Sequence, residues 1–338
     1  MIDIATIPDD NLSQTLRLMK ARFAERGWAA ELPYIGSPHC FVNRNDGTGL
    51  LHVFSATPPN TSYASASLAN DKYGSYELLK TADVPQLDSF LANEHTTFED
   101  QVAFMYTHGK VVVKPVDGGH GKGITVNVDT PEKLKTAIED ALQNKKSIDA
   151  AIIQKQYLHE TILDVRILCI NNEFVAAIWR IPARVTGDGV STIRRLIENE
   201  NAREDRGRPY YAKLAEINSE KAASYLGDAI DRIPAVGEEV SVLGIANYGA
   251  GGETVDVTDE IPQWLRDVAV RAARVSGLPV AGVDFMLAAQ PKPESTQDEL
   301  QAMLIEINKC PLLAMHDMPT SGTPRNAVGT YVDYLATL

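Results

Sequence analysis

Lys114 closes a β-branched run, Val111-Val-Val-Lys-Pro115, and leads into a loop that holds Gly118, Gly119, Gly121 and Gly123. A second β-branched run, Ile124-Thr-Val-Asn-Val128, follows at once, so the stretch reads as a hairpin with a flexible tip. An ammonium just ahead of glycines, whose backbone N–H groups meet no Cβ interference, is a clamp for a polyanion. A nucleotide triphosphate is its natural ligand, and His120 at the tip is within reach of a phosphate. Two better-known phosphate loops are excluded. A P-loop needs its lysine after the last glycine and before Ser or Thr, whereas Gly123 follows Lys122. The dinucleotide loop needs a helix next, and a strand pattern stands there instead.

Far along the chain, Leu304-Ile-Glu-Ile-Asn308 alternates apolar and polar residues. That alternation places Glu306 and Asn308 on one face of a strand, roughly 6–7 Å apart. Asp284 lies inside the apolar run Val280-Ala-Gly-Val-Asp-Phe-Met286, where an unpaired carboxylate is costly. Three hard oxygen donors suit Mg²⁺, which takes a few protein oxygens and completes its octahedron with phosphate and water. Bound MgATP would therefore join this corner to the glycine hairpin. Arg166 and Arg180 occupy same-parity positions on two β-like runs flanking Asn171-Asn172. Each can point into the site, where a planar donor fork matches a carboxylate or an acyl phosphate.

These residues need elements to hold them. Leu16, Met19, Phe23 and Ala24 recur at helical spacing with Gly27 behind, which predicts a helix over residues 13–27. Leu50–Phe54 reads as a strand, preceded by a hairpin turn at Asn45-Asp-Gly47. Lys72 stands at the start of a helix over 74–82. Thr130-Pro131 opens another that runs to about Asn144. Ala151–Tyr157 is the next strand, and Thr192 begins a helix through Glu200. Residues 200–237 are charged and irregular. Leu265, Val268, Ala269, Ala272 and Val275 mark an amphipathic helix over 262–276.

The 338 residues suggest two or three subdomains around a sizeable core. A formal net charge of −13 argues against nucleic acid as a partner, since that needs a basic face. Cys40, Cys169 and Cys310 are odd in number and far apart, so they form no readable disulfide framework or zinc spacing. No apolar run has the length of a signal or a membrane span, and cytoplasmic residence without a membrane partner is the expectation.

With these motifs in hand, the chain resembles the ATP-grasp superfamily of carboxylate-amine ligases. The likeness is to the ATP-grasp module of cyanophycin synthetases and of the bifunctional glutamate-cysteine ligase/glutathione synthetase. It covers roughly Thr61 to the C-terminus. It rests on Asn70-Asp-Lys-Tyr-Gly, Lys114–Gly123, Asp164-Val-Arg166, Arg180–Gly189, Ala246–Gly252, Asp256–Glu260, Asp284, Glu306-Ile-Asn308 and Pro319–Asn326.

The resemblance implies an α/β (α+β) fold, with a small lid subdomain over residues 71–156 and a larger mixed-sheet catalytic subdomain over 157–338. A shortened α/β region over 1–70 would precede them. By the same likeness, Lys72 and Lys114 contact ATP phosphates, and Gln154, Lys155, Gln156 and Tyr157 form the hinge beside adenine. Asp284, Glu306 and Asn308 would hold Mg²⁺, and Asn247, Gly251 and Gly252 would present donors to the reacting carboxylate. Arg184, Arg206, Lys213 and Arg325 are further substrate candidates, drawn from the family's motifs and its acceptor-site insertion. Relatives usually carry an arginine near Leu243 or Gly244, and this chain does not.

The implied activity joins an amino-acid or peptide carboxylate to an amine through an acyl phosphate, giving ADP and phosphate. A small-molecule kinase and a nucleotide-binding pseudoenzyme are the alternatives, and a homodimer is compatible with either. At 338 residues there is no room for the additional ligase domains of the two fused enzymes, so a standalone module is expected.

Overall fold

In a computed structural model, every residue except His120 and Ile245 is described. The chain opens with β1 (Ile2–Asp3), α1 (Gln14–Glu25), β2 (Ala29–Leu32), β3 (His39–Asn43), β4 (Leu50–Phe54) and α2 (Tyr63–Leu68). These strands form an antiparallel sheet in sequence order. Ser13 caps α1 by accepting from the Leu16 N–H, and Leu16, Met19 and Phe23 point into the core as the spacing predicts. The β3–β4 connection turns at Asn45, Gly47 and Gly49, all at positive φ.

Next come α3 (Lys72–Lys80), β5 (Ser89–Ala92), α4 (Phe98–His108), β6 (Val111–Pro115), β7 (Thr125–Val128), α5 (Pro131–Gln143) and β8 (Ala151–Lys155). The strands make a second sheet in the order β5-β8-β6-β7, and β6–β7 is the predicted glycine hairpin. α4 and α5 cover one face, where Met105, Leu134 and Ala137 meet Val111, Val113 and Ile153. The other face carries Lys114, Ile152 and Gln154, residues of opposite parity.

The remainder starts with the hairpin β9 (Leu163–Ile170) and β10 (Glu173–Ile181), joined through Asn171 and Asn172 at φ 53° and 61°. Both lie in the left-handed region that a two-residue hairpin turn requires. β11 (Arg184–Thr186), α6 (Ile193–Asn201), β12 (Arg206–Gly207), β13 (Leu214–Ala215), α7 (Ser219–Leu226) and β14 (Glu239–Ser241) follow. They pack around their own small core of Val185, Ile193, Ile197, Ile217 and Val242. The stretch read as irregular over 200–237 thus contains α7 and two short strands, each too short to show periodicity.

Last are β15 (Glu253–Asp256), α8 (Gln263–Val275), β16 (Val280–Leu287), α9 (Gln297–Leu300), β17 (Met303–Asn308), α10 (Ala314–Asp317) and α11 (Ala327–Leu335). The central sheet runs β15-β10-β9-β16-β17 and is antiparallel throughout, where a mixed sheet was expected.

Period-two alternation divides that sheet's faces. Val165, Ile167, Val283 and Phe285 pack on α8, with Leu79 of α3 in the same cluster. α3 therefore rests on the catalytic sheet even though it opens the stretch assigned to the lid. On the opposite face, Leu168, Ile170 and Val280 join α1, α11 and the N-terminal sheet in one core centred on Tyr331 and Phe23. Among the described residues, no helix is long and apolar enough to cross a membrane.

Candidate functional site

One end of that second face is polar. Arg166 on β9 sits opposite Asp284 on β16, and Asp284 sits opposite Glu306 on β17. Asp164 and Arg180 pair across β9 and β10. The register breaks between Asp284 and Phe285, since Phe285 pairs with Leu304 and Ile305 is left without a partner. This β-bulge re-aims the strand. Leu304 and Ile307, three apart, both reach the core, while Glu306 and Asn308 turn into the site with Asn308 Nδ2 3.3 Å from Glu306 Oε1. Strict alternation would have put Leu304 on the same face as Glu306. The bulge removes that conflict.

Asp284 is the hub. Arg166 donates to it from Nε and Nη2, each at 2.7 Å, in a bidentate fork. Arg180 Nη2 donates to Asp284 Oδ2 at 3.0 Å, and Asn308 Nδ2 to the same oxygen at 3.2 Å. Arg180 also donates to Asp164 Oδ1 from Nε and Nη2. Burial alone would raise the Asp284 carboxyl, but the two guanidiniums outweigh it and hold it below the ordinary carboxylate range. For Asp164 burial dominates and pushes the carboxyl up. Among the described residues, no three His, Cys, Asp or Glu side chains cluster as a metal cage, because the expected set is two carboxylates and an amide.

A narrow cavity lies between the second sheet and β17, lined by Lys72, Lys114, Gln154, Ser89 and Glu306. Lys72 is the first residue of α3, next to the capping Asp71, and donates to the Gly118 carbonyl at 2.5 Å. Lys114 is buried and donates to Gln154 Oε1 at 2.9 Å. Burial lowers its ammonium to about 8, with the Glu306 carboxylate pulling the other way. Four cationic side chains, Lys72, Lys114, Arg166 and Arg180, thus meet three carboxylates, Asp164, Asp284 and Glu306. The two lysines that line the cavity outnumber its one carboxylate, Glu306, a local excess that favours an anionic ligand.

The hairpin loop is anchored at its root. Asp117 accepts from the backbone N–H groups of Lys146, Ser147 and Ile148. Burial opposes the charged form, yet these donors prevail and hold the carboxyl at about 2. A Cβ on Gly118 would fall 2.3 Å from Pro115 Cγ, so only glycine permits this approach. His120, the expected phosphate contact at the tip, lies outside the described residues.

Of the four hinge residues, Gln154 lines the cavity. Lys155 is exposed, Gln156 is tied to Asn127, and the Tyr157 hydroxyl donates to the Gln301 carbonyl at 3.0 Å. Asn247 Oδ1 accepts from the Gly249 N–H and so shapes the loop that ends in Gly251 and Gly252. Arg206 is enclosed rather than open to a ligand: its Nη1 clasps the Ala215 and Gly251 carbonyls, and Nε reaches Glu200. Arg184 pairs with Glu239 and Glu253, and Arg325 with Asp256 and Asp259. The Lys213 carbonyl accepts from Tyr248. These four lie outside the Asp284 cluster. Leu243, where relatives carry arginine nearby, is buried in the small core, and a Cβ on Gly244 would meet the Tyr225 ring at 2.7 Å. Asp164 and Asp117 were not singled out as site residues, although the Asp164-Val-Arg166 spacing already sets two charges on one strand face.

The family described as prokaryotic glutathione synthetase, ATP-grasp domain, matches residues 85–195. A bifunctional glutathione synthetase from Pasteurella multocida superposes with a TM-score of 0.69 at 24% identity, covering 97% of this chain and 44% of that one. The chain has the ATP-grasp fold. This ATP-grasp chain is also 32% identical to a cyanophycin synthetase of Synechocystis sp. over 315 residues, covering 91% of this chain and 35% of the relative. A glutathione biosynthesis bifunctional protein of Listeria monocytogenes is 29% identical over 310 residues, 87% of this chain and 38% of that protein. The chain spans little more than a third of either curated relative.

Proposed function

We propose that this chain is an ATP-dependent carboxylate-amine ligase that joins an amino-acid or peptide carboxylate to an amine, releasing ADP and phosphate. What supports this reading most is that Lys72 and Lys114 share one cavity with Glu306, to which Asn308, Asp284 and Arg166 are linked in turn by hydrogen bonds. A carboxylate resists attack by an amine because oxide is a poor leaving group, and phosphorylation removes that obstacle. Lys72 and Lys114 bind the phosphates and offset charge on the transferred group. Arg166 and Arg180 orient the acceptor carboxylate and then the acyl phosphate, which needs no covalent nucleophile on the protein. The hairpin, rooted by Asp117, covers the site and excludes water.

The donor chemistry suits Mg²⁺: among the described residues Glu306 receives one hydrogen bond, from Asn308 Nδ2, and keeps lone pairs free, Asp284 stands beside it, and Asn308 would offer Oδ1 after its amide turns over. When bound, the ion would offset phosphate charge as a Lewis acid.

The assay supplies ATP, magnesium and pooled amino acids and dipeptides, then follows ADP, phosphate and new masses. A product lighter by one water than its two substrates together is expected, with ADP formation dependent on the amine. A phosphorylated product would make the chain a kinase, and ATP binding without turnover would make it a sensor that lacks an arginine near Leu243 or Gly244.

Lys114 gives a pH test. The free protein loses this charge as pH rises through about 8, while a bound phosphate would retain it. Affinity for ADP is therefore expected to fall by up to about tenfold per pH unit above that point. In Lys114→Met the dependence should flatten. Calorimetry that finds the parent's affinity level across this range would show that Lys114 meets no phosphate.

A further inference from the structure

His316, in α10, is completely buried, and neither ring nitrogen has a hydrogen-bond partner among the described residues. An orphaned buried polar group is costly, so a partner in some other state of the protein is the natural account of it. Its surroundings indicate which state. α10 packs on β10, the strand of Arg180, and Met315 meets Ile178 of β10 and Tyr248 of the Asn247 loop. The segment entering α10 crosses the sheet beside Arg166: a Cβ on Gly282 would stand 2.9 Å from Pro311 Cβ and 3.3 Å from Arg166 Nε. The charged groups that act on the imidazole are Arg166, Asp256, Arg180 and Asp284. Asp256 is already satisfied by Arg325 and Thr258.

The Asp284 carboxylate is crowded on one oxygen, Oδ2, which takes three of its four donors. It accepts from Arg166 Nε and Nη2, Arg180 Nη2 and Asn308 Nδ2, against about four lone-pair sites on a carboxylate. A cation that coordinates Oδ2 competes there with two guanidinium donors, and a buried arginine that yields its carboxylate needs another acceptor. We infer that His316 is a positioning residue, accepting a hydrogen bond from Arg166 once Mg²⁺ takes Asp284 and so steadying the guanidinium toward the transferred phosphoryl group, a role that rests on the metal reading proposed above. Burial, reinforced by Arg166, lowers the imidazole to about 3, so it stays a neutral acceptor at working pH.

The test titrates ADP by calorimetry, with excess magnesium and with EDTA, into the parent, His316→Leu and His316→Gln. The parent should bind ADP more tightly with magnesium. His316→Leu is expected to shrink that advantage by about tenfold, close to the weight of one charge-assisted hydrogen bond. His316→Gln, whose amide oxygen can accept in its place, should restore most of it. A merely structural role would weaken ADP binding to the same degree with and without metal, so equal weakening overturns the inference, as does an unchanged advantage. If His316→Leu fails to melt cooperatively, ¹⁵N-histidine labelling of the parent decides. The unprotonated ring nitrogen of His316 should shift on adding MgADP, and an unmoved resonance overturns the inference. A parent with no magnesium advantage refutes the metal reading and the His316 role together. An advantage that survives in His316→Leu refutes only the latter.

Discussion

Glu306→Gln is expected to lower ATP turnover by at least about a hundredfold while leaving the unfolding midpoint of the free protein within a degree or so of the parent. The side chain keeps its volume and its contact with Asn308, and loses only the charge. No arginine depends on Glu306, whose hydrogen bond in the cluster comes from Asn308 Nδ2, so nothing buried is left unpaired. Its carboxylate raises the ammonium pKa of both Lys72 and Lys114 across the cavity. Removing it should therefore make the lysines easier to deprotonate and shift the pH at which ADP affinity falls to lower values. Turnover measured as phosphate release, alongside a thermal melt, checks both halves. A variant with parental turnover would place the metal elsewhere.

Much of this was legible in the sequence because the residues concerned follow local rules. The glycine hairpin combines β-branched runs with glycines. Thr130-Pro131 is a helix start, Asn171-Asn172 is a hairpin turn, and a carboxylate inside Val280–Met286 calls for a partner. The partner itself was not legible. Which oxygen Arg166 grips depends on register across β9 and β16, and register is a property of two strands more than a hundred residues apart. The bulge at Ile305 is likewise set by pairing, since alternation within one strand cannot reveal an extra residue.

Arg206 and Arg325 were candidates by type and motif alone, and the sequence could not show the acceptors that distant segments bring to each, Gly251 to Arg206 and Asp256 to Arg325. α11 escaped because Val328, Thr330, Tyr331 and Val332 favour strands by propensity. Burial against α1 decides otherwise. Asp117 sits in a loop where an acidic residue usually marks a turn. Its role appears only when the Lys146–Ile148 backbone folds back on it.

Asp284→Asn should behave differently from Glu306→Gln although both alter the same cluster. The side chain of Asp284 is 4% exposed and those of Arg166 and Arg180 are 11% and 14% exposed, so this is a buried ion-pair network. Taking the charge from one member leaves two guanidiniums competing for Asp164, and breaking a buried pair in this way costs about 3–5 kcal/mol. The amide can accept through one oxygen, but its nitrogen faces donors at the position of the other. A lowered unfolding midpoint is therefore expected together with lost turnover, whereas Glu306→Gln should lose turnover alone. Urea unfolding of the parent and both variants separates the two outcomes. Parental stability in Asp284→Asn would mean that Arg166 finds another partner when the aspartate is withdrawn. In that event the double variant Asp284→Asn with His316→Leu should show the missing loss, because His316 is a buried acceptor without a partner among the described residues and lies within the electrostatic reach of Arg166.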